Sequence, residues 1–95
     1  MLPREREIIR AIKELNKEAV QSTPKAISQK TRIPKSEVQY FCERLEKGYF
    51  IEGVEERVPV TGDPRHGYRV TLQGYKLLPK AEELLTHLAS FSERG

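Results

Sequence analysis

Two prolines ten residues apart, Pro24 and Pro34, set the tightest limit on what this chain can fold into. Proline has no amide hydrogen and clashes with the preceding helical turn, so a helix admits it only in its first turn. Thr23, just before Pro24, carries a hydroxyl that can cap a helix start. The residue before a proline avoids the α region, so Pro34 bars continuation of the helix that Pro24 opens. The pattern predicts a short helix from Pro24 to about Thr31, with Ala26 and Ile27 facing inward. A tight connection at Arg32 and Ile33 leads to another helix from Pro34 to Lys47. Val38, Phe41, Cys42 and Leu45 form one apolar stripe on that helix, and Gly48 is placed to end it as the C′ residue.

The flanking segments follow the same logic. Ile8, Ala11, Ile12 and Leu15 recur at helical spacing between about Pro3 and Asn16, while Ala19–Gln21 is at most a stub of strand. After Gly48 the period shortens. Tyr49–Ile51, Val58–Val60 and Tyr68–Thr71 are β-prone, and the turn formers Thr61 to Gly67 lie between the last two. This predicts a β-hairpin with an exposed tip and Pro59 at an edge or bulge. Thr71 is then placed to cap a last helix from Leu72 to about Ser90, kinked or broken at Pro79.

Composition narrows the class. The 95 residues are enough for one domain and too few for two cores. No apolar run is long enough to span a membrane, and the charged start Arg4–Glu7 does not resemble a signal peptide. Cys42 is the single cysteine, so no internal disulfide can form and a reducing, cytoplasmic setting is expected. Cys42, His66 and His87 lie too far apart in sequence for a zinc site, and neither a metal nor a cofactor is expected. No nucleophile–base pair or phosphate-binding glycine loop appears, so an enzyme is not expected. Residues 1–47 carry eleven Lys/Arg against seven Glu, and the stretch from Gln21 to Ser36 holds Lys25, Lys30, Arg32 and Lys35 with no acid. Such a local basic run suits a surface that meets phosphate.

A short helix, a tight turn and a second helix make a helix-turn-helix, and a hairpin directly after it makes a wing. Ile27, Thr31, Ile33, Val38 and Phe41 sit where such a unit must bury side chains, and Ser28 is the small residue at the helix approach. The run from Asp63 to Leu78 then resembles the wing and following helix of MarR-type transcriptional regulators. Asp63 and Arg65 match the family's Asp-x-Arg, and Thr71, Gly74, Leu77 and Leu78 match its Leu-Thr-x-x-Gly and Leu-Leu, with Val70 in place of the first leucine. Tyr68, Val70, Thr71 and Gly74 also resemble the corresponding strand of PadR-type regulators. Arg32 stands where these units often carry glycine, and Leu45 is three rather than four residues before Gly48. The resemblance implies an α+β, mostly α fold: a winged helix-turn-helix with a three-helix core, a β-hairpin wing and a C-terminal helix. In these terms residues 1–71 form the core and 72–95 the C-terminal helix. The long terminal helices that form effector pockets in the family are missing, so no small-molecule effector is expected.

The expected function is sequence-specific binding of double-stranded DNA by a transcriptional regulator. Lys35, Ser36, Gln39 and Tyr40 face outward on the recognition helix, where Gln39 can pair with adenine and Lys35 or Ser36 can reach a base edge or phosphate. Lys25, Lys30 and Arg32 would contact the DNA backbone, and Arg65, His66 and Arg69 of the wing the flanking minor groove. Cys42 reads as a small core hydrophobe whose oxidation would unseat the recognition helix. His87 with Glu83 reads as a surface contact. Leu84, Leu85, Leu88 and Phe91 form a heptad-like seam too apolar to leave exposed, which predicts a homodimer through the last helix. The alternative is a winged-helix protein–protein interaction module in a larger nucleic-acid-processing assembly, favoured by Glu43, Glu52, Glu55 and Glu56. RNA binding is a third alternative, which the fold also permits.

Overall fold

A computed structural model describes the backbone of residues 1–94 and the side chains of these residues other than 64 and 88–94. The fold is α+β and mostly helical. In chain order it comprises α1 (Pro3–Lys17), α2 (Pro24–Thr31), α3 (Lys35–Lys47), β1 (Ile51–Pro59), a 3₁₀ turn (Pro64–His66), β2 (Tyr68–Leu77) and α4 (Pro79–Arg94). No helix among the described residues is long and apolar enough to cross a membrane.

The helix starts follow the prolines. Pro3 and Pro24 occupy first turns, and the Thr23 hydroxyl accepts the Ala26 N–H at 3.2 Å. Pro34 is the N-cap of α3 rather than its first residue. Between α2 and α3 the chain reverses through Arg32, which adopts the left-handed conformation at φ 64°. Side chains lock this turn. Ser28 Oγ donates to the Ile33 carbonyl at 2.6 Å, while Thr31 Oγ1 donates to the Ile27 carbonyl and accepts the Ile33 N–H.

Ile8, Ile9 and Ile12 of α1, Ile27 of α2, Val38, Cys42 and Leu45 of α3 and Ile51 of β1 are fully buried together. Each large aliphatic side chain so buried contributes about 1.5–3 kcal/mol of transfer free energy. Tyr75 from β2 and Ala81 and Leu85 from α4 close the core.

Three expectations at element ends are corrected. The last helix does not begin at Leu72. Residues 68–77 form the second hairpin strand, antiparallel to β1 from Pro59↔Tyr68 to Ile51↔Leu77, and Thr71 pairs with Glu56 instead of capping a helix. Pro79 is the first residue of α4, in the position where its missing amide hydrogen costs nothing, so it starts the helix and does not kink it. A boundary at residue 72 therefore falls inside a strand. Gly48 does not take the left-handed position at the end of α3: its φ is −85°, and Tyr49 takes it at φ 61°. The Phe50 N–H then reaches back to the Leu45 carbonyl at 2.9 Å. Gly48 is suited to its place by space, since a Cβ there would lie 3.1 Å from the Phe50 ring.

The strand stub expected at Ala19–Gln21 is the third correction, because no strand forms there. A side chain does its work. Ser22 Oγ accepts the Tyr75 N–H and donates to the Tyr75 carbonyl, each at 2.8 Å, and Asn16 Nδ2 donates to that carbonyl at 2.9 Å. The hairpin is thereby tied to the end of α1. At its other side Lys80 Nζ donates to the Gly48 carbonyl at 3.0 Å and lies 4.4 Å from the Phe50 ring centre, joining α4 to the end of α3.

Candidate nucleic-acid interface

With Val38, Phe41, Cys42 and Leu45 turned inward, α3 exposes Lys35, Ser36, Gln39, Tyr40 and Glu43. Lys35 is the first helical residue, where free backbone N–H groups add positive potential to its own charge. Tyr40 is held by its neighbours: its ring stands edge-on to Phe41 at 5.3 Å, and Arg44 Nη1 donates to its hydroxyl at 3.3 Å. Arg4 pairs with Glu37 on the flank of α3, so that carboxylate is compensated.

The cations expected to meet phosphate divide into two groups. Lys25, in the first turn of α2, Arg32, in the α2–α3 turn, and Lys35 are exposed and have no carboxylate partner among the described residues. Lys30 is different. Its ammonium lies 3.2 Å from Glu18 and 3.4 Å from Glu14. The hydrogen bond to Glu18, with help from Glu14, holds its pKa above the usual lysine value. Lys30 therefore fastens α2 to α1, and its charge is already partly neutralised. Because left-handed backbone costs roughly 1–2 kcal/mol for a residue with a Cβ, Arg32→Gly should raise stability by about 0.5–1 kcal/mol while removing one of the free cations. Thermal melts beside binding titrations separate the two effects.

At the hairpin tip the Asp-x-Arg pair has a visible local role. Asp63 Oδ1 accepts the Arg65 N–H at 3.0 Å, and its carboxylate receives the Arg65 guanidinium at 3.0–3.3 Å. These hydrogen bonds hold the Asp63 carboxyl below the usual carboxylate range. His66 Nε2 is 3.9 Å from the same carboxylate, and Arg69 is exposed on β2. Gly62 and Gly67 have φ 78° and 88° and turn the chain at either side of the tip.

Sequence reasoning missed three features. Arg57 adds to the hairpin an exposed cation with no ion-pair partner among the described residues. Glu46 joins Glu43 and Glu55: partial burial, then repulsion from Glu55 and Glu43, raises its carboxyl pKa. The C-terminal half of α3 thus carries acid on the side toward the hairpin, leaving its N-terminal half as the part suited to phosphate. The third feature is the Asn16–Ser22–Gly74 anchor that positions the hairpin, for which the one sequence signal is Gly74 itself.

Two of the seam residues are used within the chain. Leu85 is 9% exposed and belongs to this chain's own core, and Leu84 packs partly buried against it. This corrects the assignment of Leu85 as a free dimer contact, since the first turns of α4 pack Ala81 and Leu85 into the core. Leu88 and Phe91 lie outside the residues whose side chains are described.

Cys42 is fully buried, and burial pushes its thiol pKa up to about 12. The neutral thiol is favoured in the folded chain, so this contribution is whole below pH 9.0 and is lost as the pH rises toward 12. Native-state alkylation of Cys42 at pH 8 should consequently proceed at the rate of unfolding. Labelling faster than unfolding, as timed by circular dichroism, would contradict its burial. No group of three or more His, Cys, Asp or Glu that could hold a metal occurs among the described residues.

No protein-family model, curated protein or solved structure matches this chain. Its functional reading rests on its own side chains.

Proposed function

We propose that this chain is a winged helix-turn-helix domain that binds duplex DNA in a sequence-dependent way, as a transcriptional regulator does. The observation that carries the proposal is the placement of Lys25, Arg32 and Lys35. Lys25 at the start of α2, Arg32 in the α2–α3 turn and Lys35 at the start of α3 are exposed cations without carboxylate partners among the described residues. An α-helix matches the width of the major groove, and the order of a helix, a short helix, a left-handed turn, an outward-facing helix and a hairpin suits that docking. Lys35, Ser36 and Gln39 would face base edges, Lys25 and Arg32 the phosphates, and Arg65 and Arg69 the flanking backbone or minor groove.

A second reading, a protein-binding module, is favoured by Glu43, Glu46 and Glu55 on the same helix and hairpin. Selection of bound duplexes from a random pool distinguishes the two. The DNA reading expects a recurring motif, with Gln39→Ala relaxing preference at one position by about 1–3 kcal/mol. A pool that emerges unenriched would favour the protein-binding module.

A further inference from the structure

The hairpin carries an apolar face that the fold does not cover. At its base Ile51 and Gly53 of β1 pair with Leu77 and Tyr75 of β2 and face the core. Alternate residues along a strand share a face, so Glu55, Arg57 and Pro59 continue that face beyond the helices. A bulge shifts the register between Val54 and Glu55, after which these residues pair with Leu72, Val70 and Tyr68. The continued face thus holds Leu72, Val70 and Tyr68 at 36%, 56% and 51% exposure. Leu72 leans over Gly53, where an added Cβ would lie 3.1 Å from its Cδ1.

The charges on this face alternate in a way that suits one occupant. Glu55 and Arg57 lie two residues apart on it, and neither has an ion-pair partner among the described residues. Glu46 and Glu43 extend the negative end toward α3, where mutual repulsion is already felt. Arg57 begins the positive end toward the tip. An apolar strip with acid at one end and base at the other is complementary to itself when reversed.

We propose that this hairpin face docks a second copy of the chain, strand against strand, about a two-fold axis passing between Glu55 and Arg57. Each Arg57 then meets the partner copy's acidic end at Glu55, and Val70 of each copy packs on Leu72 of the other. The like-charged carboxylates gain cations, and the exposed leucine and valine leave water. Each contact occurs twice, as an isologous interface requires. The opposite face of the hairpin, with Arg69, stays uncovered. The proposal does not depend on DNA binding, and it assigns self-association to the hairpin, whereas the tail helix spends Leu85 on its own core.

Sedimentation equilibrium of the full chain at micromolar concentration tests this. The expected mass is about 22 kDa, twice the 11.0 kDa of one chain. Val70→Glu and Arg57→Glu, both at exposed positions, should each raise the dissociation constant at least about tenfold, with melts matching the unaltered chain at dilutions where it is monomeric. Combining Arg57→Glu with Glu55→Arg should restore association, because the exchanged charges again meet across the axis. A wild-type mass of 11.0 kDa at every concentration overturns the proposal. So does a dimer indifferent to Val70→Glu, which would place the contact on α4, and so does a charge exchange that fails to restore pairing. Because the restoring variant changes only exposed charges, a folding defect in Val70→Glu would still leave the proposal decided by it.

Discussion

Replacing Gly74 with alanine should destabilise the chain by about 2–5 kcal/mol, combining backbone strain with overpacking. Gly74 sits at the bulge of β2 with φ 149°, a conformation that side chains rarely adopt. A Cβ there would lie 2.8 Å from the Ser22 backbone nitrogen and 3.0 Å from its Oγ. Neither atom can yield cheaply. The nitrogen belongs to the backbone, and the hydroxyl bonds both the N–H and the carbonyl of Tyr75. The strain thus falls on the Ser22 contact that, beside the Asn16 hydrogen bond, ties the hairpin to the end of α1. Ser22→Ala removes the same contact without the clash and leaves the Tyr75 N–H without its Ser22 partner, for a smaller loss of about 1–3 kcal/mol. Urea unfolding of the two variants should preserve this order. Equal losses would mean that the close approach at Gly74 is not what limits substitution there.

The second large effect concerns affinity. Changing Lys25, Arg32 and Lys35 together to alanine should weaken duplex binding roughly 10²–10³-fold near 0.1 M salt and lower the salt slope by about 3. Each free cation that neutralises a phosphate releases counterions, and the three terms multiply. Lys30→Ala should cost under about threefold, because its ammonium already faces Glu14 and Glu18. It should instead loosen α2 from α1 slightly, as an exposed ion pair contributes little to stability. Anisotropy titrations of the triple and single variants check both statements. A Lys30 effect as large as that of Lys35 would show that DNA outcompetes the two glutamates.

How far the residues foretold this arrangement depends on how local the cause was. Pro24, Pro34 and the Val38–Leu45 stripe announce α2, α3 and their buried face, because proline sterics and helical periodicity act within a few residues. The outward set Lys35, Ser36, Gln39 and Tyr40 follows from the same stripe. Leu72–Leu77 misled because leucines at the strand end continue the spacing of those in α4, and single-chain periodicity cannot see that β1 offers a partner. The left-handed turn at Tyr49 was hidden by the adjacent Gly48, whose small size answers the Phe50 ring. The ion pairs of Lys30 and the fate of Leu85 were not legible at all. Both depend on how α2 and α4 lie against α1, which tertiary packing decides.

The central claim is that free cations around α3 and on the wing meet DNA phosphate, and its most direct test is the salt dependence of duplex binding by the unaltered chain. With Lys25, Arg32, Lys35 and Arg69 each neutralising one phosphate, and Arg65 already paired with Asp63, log affinity should fall against log salt with a slope of about −3.6. Affinity would then drop roughly 150-fold between about 50 and 200 mM salt. A slope near zero, or no duplex binding at the lower salt, would contradict the account and leave the acidic side of α3 as the surface that matters.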